Sequence, residues 1–298
     1  MRVNPNFTAD MVNLMDQAQQ SENNAAQQLS TGRRVTQPSD DPAADSAMVN
    51  ENSRSAAVDQ YTANSDSVTD VLNTADSTLS SVTTLLQRAV TLGVEGANGT
   101  MNQTDLNSIA AQVSDIKTQM LSLANASYAG QYLFAGTATG TAPYVADAAN
   151  PNQVDYVGNS KQNKVQIGTG LSVTTNLPGS SIFSQPNANV FDALQSLVTA
   201  LQSGDTAGIA TAETSVNTSL NAVDTAQVFY GSTVDELTSN ESFLSQEKLN
   251  ITTYQNTLVS ADLATAATNA TQAQAVLTAT VAAAAQLDQQ VNLLTYLH

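Results

Sequence analysis

Apolar side chains recur at alternating steps of three and four residues over long stretches of this chain. The spacing places them along one stripe of an α-helix and is typical of helices that pack side by side over many turns. The longest run predicts a helix of roughly 50 Å, which glycines at 93, 96 and 99 are expected to end. Its seam consists of Val58, Tyr61, Ser65, Val68, Leu72, Ala75, Leu79, Val82, Leu86 and Ala89.

Two more helices are predicted in the interior of the chain. One follows a short glycine-containing connection, which favours an antiparallel partner for the first helix. The other covers 209–259, although polar residues interrupt its seam at Gln227, Glu241, Lys248 and Gln255. The seam of the former contains Leu106, Ile109, Val113, Ile116, Met120 and Leu123.

The two chain ends repeat the same spacing, so we expect the first and last helices to form one coiled coil. Many of their seam positions are small, and small side chains bury little area, so an isolated pair should be only marginally stable. We therefore expect these helices to complete their apolar stripes against neighbours, although an ordinary intramolecular pair is the alternative. The expected interface residues are Phe7, Met11, Leu14, Ala18, Leu263, Ala270, Leu277, Ala284, Leu287, Val291 and Leu294.

The middle of the chain differs, because most prolines and half of the glycines lie there. Segments 154–157, 164–167 and 171–175 are rich in residues that favour strands. The sequence therefore predicts a mainly α fold, a rod of long antiparallel coiled-coil helices with a small β-rich insertion. The predicted domains are a terminal coiled coil (1–40 plus 260–298), a helical rod (41–130 plus 187–259) and an outer β-rich domain (131–186).

A short linker follows the first helix. Gly32 is expected to end that helix, and Ser39, Asp40 and Asp41 carry oxygens that can cap free N–H groups before Pro42, which suits a first helical turn. The alternative for the two aspartates is a paired-carboxylate metal or acid/base site.

Composition narrows the possible functions. The 298 residues carry 9 basic and 26 acidic side chains, a net charge of −17. This balance argues against a basic surface for nucleic acid or anionic lipid. Cysteine is absent and the one histidine is His298, which leaves little for thiol or histidine chemistry. We expect no enzyme activity and no cofactor or metal, although a dyad of serine with Lys161 or Lys164, or a two-carboxylate hydrolase, stays open.

No secretory signal or membrane-spanning run is visible, since the longest apolar stretch covers only 281–285. We expect no membrane insertion. The low lysine and absent cysteine are compatible with secretion without a cleaved signal, and residence in the cytosol is the alternative.

Four segments, in order, resemble one family. Residues 28–48 read QLSTGRRVTQPSDDPAADSAM, and residues 128–144 read YAGQYLFAGTATGTAPY. A V-D-Y-x-G pattern opens 154–183, and the C-terminal helix ends in Leu-Leu-x-Tyr-Leu. These segments are similar to those of the flagellins and hook-associated proteins of the bacterial flagellum, in the forms typical of the junction subgroup. The likeness covers nearly the whole chain.

The resemblance implies a structural protein outside the cell, exported through the flagellar type III channel and joining hook to filament. Its implied partners are copies of itself in a ring layer, hook-associated protein 1, flagellin and a cytoplasmic export chaperone for the C-terminal helix. It also implies that the linker touches neighbouring subunits and that the β-rich domain faces outward. A flagellin-type filament subunit is one alternative, and a secreted coiled-coil adhesin or needle-tip protein is another.

Overall fold

The computed structural model describes residues 7–147, 150 and 152–294. This part of the chain is mainly helical, as the sequence predicts, and the predicted third interior helix is present with nearly the expected bounds. The helices are α1 (Phe7–Thr31), α2 (Pro42–Gly96), α3 (Gln103–Ala124), α4 (Val190–Ser203), α5 (Thr206–Val259) and α6 (Leu263–Leu294).

Short strands occupy the segment between α3 and α4 and pair as four separate antiparallel hairpins in the described residues. The first pairs β1 (Ser127–Tyr128) with β2 (Gln131–Tyr132), and the second pairs β3 (Tyr144–Ala146) with β4 (Val154–Tyr156). The others pair β5 (Lys164–Gly168) with β6 (Leu171–Thr174) and β7 (Ser184–Gln185) with β8 (Ala188–Asn189).

The described residues divide into two compact units. Unit 1 contains residues up to 57 and residues from 247 onward, and unit 2 contains 58–246. Unit 1 thus holds α1, α6, the start of α2 and the end of α5. Unit 2 holds all the hairpins and the remaining helices.

The core of unit 2 forms along the predicted seam of α2. Leu72, Leu79 and Leu86 are fully buried there and belong to one cluster with Val113 and Met120 of α3. Burial of such side chains is favourable by about 1.5–3 kcal/mol each, so this seam accounts for much of the stability of the unit.

Aromatic rings connect the hairpins to the helices of unit 2. The Tyr144 ring centroid lies 5.2 Å from that of Phe191 on α4 and 5.8 Å from that of Phe183. Phe134 packs edge-on against Phe183 at 5.2 Å. Because all four rings are buried, they fix the small hairpins, which would be marginal alone.

In unit 1, the start of α2 pairs with the end of α5 in antiparallel fashion. The Gln255 amide donates to Asn52 at 2.9 Å, and the Lys248 ammonium donates to Ser55 Oγ at 2.7 Å. Arg54 bridges the two helices between Glu51 and Glu247. Polar bonds thus replace the apolar seam where the sequence shows interruptions.

The turn between β1 and β2 has positive φ at both central residues, Ala129 (48°) and Gly130 (79°). A two-residue hairpin turn of type I′ has this geometry, and an alanine Cβ is strained in it. We expect Ala129→Gly to raise the free energy of unfolding by about 0.5–1 kcal/mol, measured by chemical denaturation. The same change at exposed Ala63, inside α2, should lower it by about 1 kcal/mol. If Ala129→Gly lowers the free energy of unfolding as Ala63→Gly does, the inference that the Ala129 backbone is strained is contradicted.

Candidate assembly surface of the terminal helices

Backbone hydrogen bonds join the residues that follow α1 to the residues that end α5 and precede α6, and these bonds bring the two terminal helices together. The Ala261 amide donates to Gly32 O at 2.8 Å, and the Arg34 amide donates to Val259 O at 2.6 Å. The end of α1 and the beginning of α6 are therefore held side by side. From this junction α1 and α6 pack against each other in antiparallel fashion within unit 1.

The contact face between α1 and α6 consists of small side chains. Ala18 and Ala25 of α1 and Ala266 and Ala273 of α6 are buried to 7% exposure or less. Each alanine methyl removes little apolar area from water, so the pair gains far less from packing than the leucine seam of unit 2. Among the described side chains of α1 and α6, no larger apolar residue is buried to this degree.

Several of the larger apolar side chains of the pair face solvent. Leu14 is 55% exposed, Leu263 is 53% exposed and Val276 is 46% exposed. Val12 and Val281 are likewise about half exposed. Covering the exposed half of each side chain would contribute about half of the ~1.5–3 kcal/mol that complete burial gives, so the pair presents an unused apolar surface.

A groove of about 500 Å³ runs between the two helices. Its apolar lining includes Leu14 and Ala18 on α1 and Ala273 and Val276 on α6. Amide and hydroxyl side chains complete it, and none of the described residues that line it is charged. An uncharged groove with apolar patches suits a packed helix better than an ionic ligand.

The structure places the expected interface residues in different environments. Ala18 is buried in the pair, and Met11, Ala270, Leu277 and Ala284 are half-buried. Leu14 and Leu263 are exposed, as given above. The side chains of Phe7, Leu287, Val291 and Leu294 lie outside the described residues. Val12, Val276 and Val281 are exposed apolar residues that the expected set omits. The sequence pattern could have identified them, because each is an apolar residue that lies beside the seam rather than on it.

Hydrogen bonds between side chains and backbone amides fix the linker between α1 and α2. Gly32, just after α1, has φ of 67°, a conformation that glycine adopts readily. The Asp40 carboxylate accepts from the amides of Thr36 and Gln37, both at 2.9 Å, and so closes a turn ahead of α2. Ser39 lies exposed in that turn.

Asp41 holds the start of α2, whose first residue is Pro42. Its carboxylate accepts from the Ala44 amide at 3.0 Å, the bond of an N-cap. The same carboxylate forms a 3.0 Å ion pair with Arg34, whose guanidinium also donates to Leu258 O. Arg34 therefore joins the linker to the end of α5. Asp40 and Asp41 bond different groups and do not converge on one point.

Acid is expected to loosen this linker. Amide hydrogen bonds, from Thr36 above all for Asp40 and from Ala44 above all for Asp41, hold the pKa of each carboxyl below its usual value. Such a carboxylate contributes stability above its unfolded pKa of about 3.9, and the contribution is lost as pH falls through the lower folded value. We expect Asp41→Ala to lower the Tm at neutral pH, and the difference from wild type to shrink below about pH 4.

The matched control is Ser39→Ala, whose side chain is exposed in the adjacent turn. It should leave the Tm unchanged at both pH values. If the Tm difference between Asp41→Ala and wild type does not change with pH, the ionisation of the Asp41 carboxyl does not contribute to stability.

Among the described residues, no group of three or more histidine, cysteine or acidic side chains is arranged to hold a metal ion. None of the described helices is both long and apolar enough to cross a bilayer.

Known proteins resemble this chain over most of its length. The family profile of the bacterial flagellin N-terminal helical region matches residues 4–139. Flagellar hook-associated protein 3 of Escherichia coli K12 is 32% identical over 260 residues, which covers 79% of this chain and 80% of that protein. Flagellin of Listeria monocytogenes is 24% identical over 303 residues, covering 100% of this chain and 99% of that protein.

A solved structure shows the same fold. Flagellar hook-associated protein 3 of Legionella pneumophila superposes with a TM-score of 0.64 at 14% identity. The match covers 70% of this chain and 98% of the Legionella chain.

Proposed function

This chain belongs to the family of flagellar hook-associated protein 3, and from that premise we propose that it joins the hook to the flagellin filament. Proteins of the family are structural components of the flagellum, and this chain is one of them. The finer role assigns it two axial partners, hook-associated protein 1 on the hook side and flagellin on the filament side. Copies of the chain would form a single ring layer between them.

The proposal rests on which side chains of α1 and α6 are buried and which are exposed. Alanines fill its contact face while Leu14, Leu263 and Val276 stay about half exposed. Exposed apolar side chains grouped on one surface mark an interaction site in a soluble protein, and Leu14 and Val276 both line the groove between α1 and α6. Neighbouring copies in a ring would cover this surface, whereas a solitary chain leaves it in water.

The proposed mechanism couples folding to assembly. In the dilute monomer the alanine contact gives the terminal pair little stability against the entropy cost of ordering two long helices. Packing in the ring buries the remaining apolar side chains, including those of the expected interface set, and forms an inner tube. In this arrangement 1–40 plus 260–298 form the tube, 41–130 plus 187–259 form the rod and 131–186 face outward.

Export fits the same account. A chain that leaves the cell unfolded through the type III channel, without a cleaved signal, needs its sticky C-terminal helix shielded beforehand. A cytoplasmic chaperone that covers the apolar side of α6 would provide this shield, and release at the channel would free the helix for assembly outside the cell.

The test adds purified chain to isolated hooks that end in hook-associated protein 1. Electron microscopy should show one added layer that does not grow further, and flagellin should then polymerise only on hooks that carry this layer. Hooks without hook-associated protein 1 serve as the control and should not be capped. Flagellin growth on hooks that lack the layer would overturn the junction role.

A flagellin-type filament subunit is the second candidate, favoured by the full-length likeness to the Listeria flagellin. The two roles differ in how assembly stops. A filament subunit extends seeds of its own kind into long filaments, while a junction protein ends at one layer. Long filaments grown from this chain alone would establish the second role.

Limited proteolysis of the dilute chain should cut first within α1 and α6 and leave a resistant fragment that contains unit 2. The contact between α1 and α6 consists of alanines and opens more easily than the leucine core of unit 2, so the protease reaches the terminal helices first. Mass spectrometry of the fragments measures the result, and the same digestion after assembly is the control, in which the ends should be protected. Equal resistance of both ends in dilute solution would contradict coupled folding.

A further inference from the structure

One dipeptide in the connection between α2 and α3 combines the features of a reactive backbone site. Asn98–Gly99 is the one Asn-Gly pair in the 298 residues. It lies between the end of α2 at Gly96 and the beginning of α3 at Gln103, and both of its residues are exposed. Water and hydroxide therefore reach the pair freely.

Asparagine followed by glycine can cyclise. The deprotonated backbone nitrogen of the second residue attacks the side-chain carbonyl carbon Cγ, and a side chain on that second residue would hinder the approach. Glycine has no Cβ and offers the widest range of backbone angles. In the described part of the chain the Gly99 amide donates no hydrogen bond, so its nitrogen is available.

The neighbouring side chain favours the attack. Thr100 Oγ1 donates to Asn98 Oδ1 at 3.3 Å, which draws electron density from Cγ and stabilises charge that develops on the oxygen. The backbone amide and carbonyl of Asn98 are held by Glu95 and Met101 at 3.2 Å each. Within the described residues nothing holds the amide nitrogen Nδ2, the leaving group.

We propose that Asn98 is a site of spontaneous deamidation. A bond forms between Gly99 N and Asn98 Cγ, the Cγ–Nδ2 bond breaks, and ammonia leaves with the proton that the Gly99 amide gave up. Water then opens the resulting succinimide at either carbonyl. The products are aspartate, or isoaspartate in which the main chain runs through the side-chain carbon, and no oxidant or reductant is needed.

A second loop asparagine, the half-buried Asn159, shows the opposite arrangement. Asn159 Oδ1 accepts from the Thr137 amide and the Lys161 amide, both at 3.0 Å, and Asn159 Nδ2 donates to Thr137 Oγ1 at 2.9 Å. Its carboxamide is thus held at both ends, and the next residue is Ser160 rather than glycine. Asn159 provides a control inside the same molecule.

Modification changes the charge of the connection. The product adds one negative charge to a chain whose net charge is already −17. The new carboxylate stands just beyond the C-terminal end of α2, where the helix dipole disfavours an anion. Isoaspartate also lengthens the main chain by one carbon between α2 and α3.

The test incubates the purified full chain in slightly alkaline buffer and follows its peptides by mass spectrometry. We expect the peptide with Asn98 to gain one mass unit and split into two products, one of which a protein isoaspartyl methyltransferase labels. The Asn159 peptide should not change over the same time. No gain at Asn98, or an equal gain at Asn159, would overturn the proposal.

Gly99→Ala is the matched variant. A methyl group built on Gly99 meets no atom within 4 Å, so the variant should fold normally, which circular dichroism checks. Its rate of deamidation should fall by about tenfold or more, equivalent to about 1.4 kcal/mol in the barrier. An unchanged rate in a folded variant would show that glycine at this position does not promote the reaction.

Discussion

Replacing both Leu14 and Val276 by aspartate is expected to abolish incorporation of the chain into hook-end assemblies and to leave the isolated chain folded. The two side chains are 55% and 46% exposed in the single chain, so their loss removes little intramolecular packing. Both line the groove between α1 and α6. A neighbouring helix in that groove would bury two unpaired carboxylates, each at a cost of several kcal/mol. Occupancy should fall by at least about a hundredfold, or ~2.7 kcal/mol.

Electron microscopy of hooks after incubation, with quantitative blotting of the bound chain, measures the loss. The matched control carries Gln19→Asp and Gln274→Asp, the same charges on the same helices at exposed positions outside the groove. The control should incorporate normally. Normal incorporation of the Leu14 and Val276 variant would contradict the assembly surface, while equal loss in the control would attribute the effect to charge alone.

The sequence predicts the terminal helices well but not their exposure. Leu14 and Ala18 are separated by one helical turn and belong to the same apolar stripe, yet Ala18 is buried and Leu14 is half exposed. Periodicity shows which side of a helix is apolar. It does not show how closely the partner approaches, which depends on the size of every side chain along both helices.

In the linker, the sequence predicts the bonds between nearby residues but not those between residues far apart in the chain. Capping by an aspartate before Pro42 follows from local residue order, and the Asp41 bond to the Ala44 amide has that form. The bond from Arg34 to Leu258 O joins residues 224 positions apart. No local pattern specifies such a bond, because it depends on how α5 and α6 return to the first helix.

In the middle of the chain the sequence identifies strands but not their partners. Segments 154–157 and 164–167 flank a turn-like sequence, yet β4 pairs with β3 and β5 pairs with β6. Helix α4 lies in the predicted helical rod, but the sequence pattern does not predict it as a separate helix, although its buried Val190, Leu194, Leu197 and Leu201 recur at helical spacing. Strands of two to five residues carry too few side chains to specify a partner.

Truncating one ring of the aromatic cluster is expected to be the most destabilising single change in unit 2. Phe183 is fully buried, and its ring lies 5.2 Å from that of Phe134 and 5.8 Å from that of Tyr144. Phe183→Ala removes the ring and leaves a cavity beside the buried rings of Phe134 and Tyr144. We expect a loss of about 3–5 kcal/mol in the free energy of unfolding, measured by urea denaturation.

Leu171→Ala, in the neighbouring hairpin, is the control. Leu171 is 43% exposed, so its truncation should cost less than about 1 kcal/mol. A loss below about 1 kcal/mol for Phe183→Ala as well would mean that the helices of unit 2 fold without the aromatic cluster. A selective loss at Phe183 would instead show that the hairpins and helices unfold together, since Phe183 packs on Tyr144, whose ring in turn contacts Phe191 on α4.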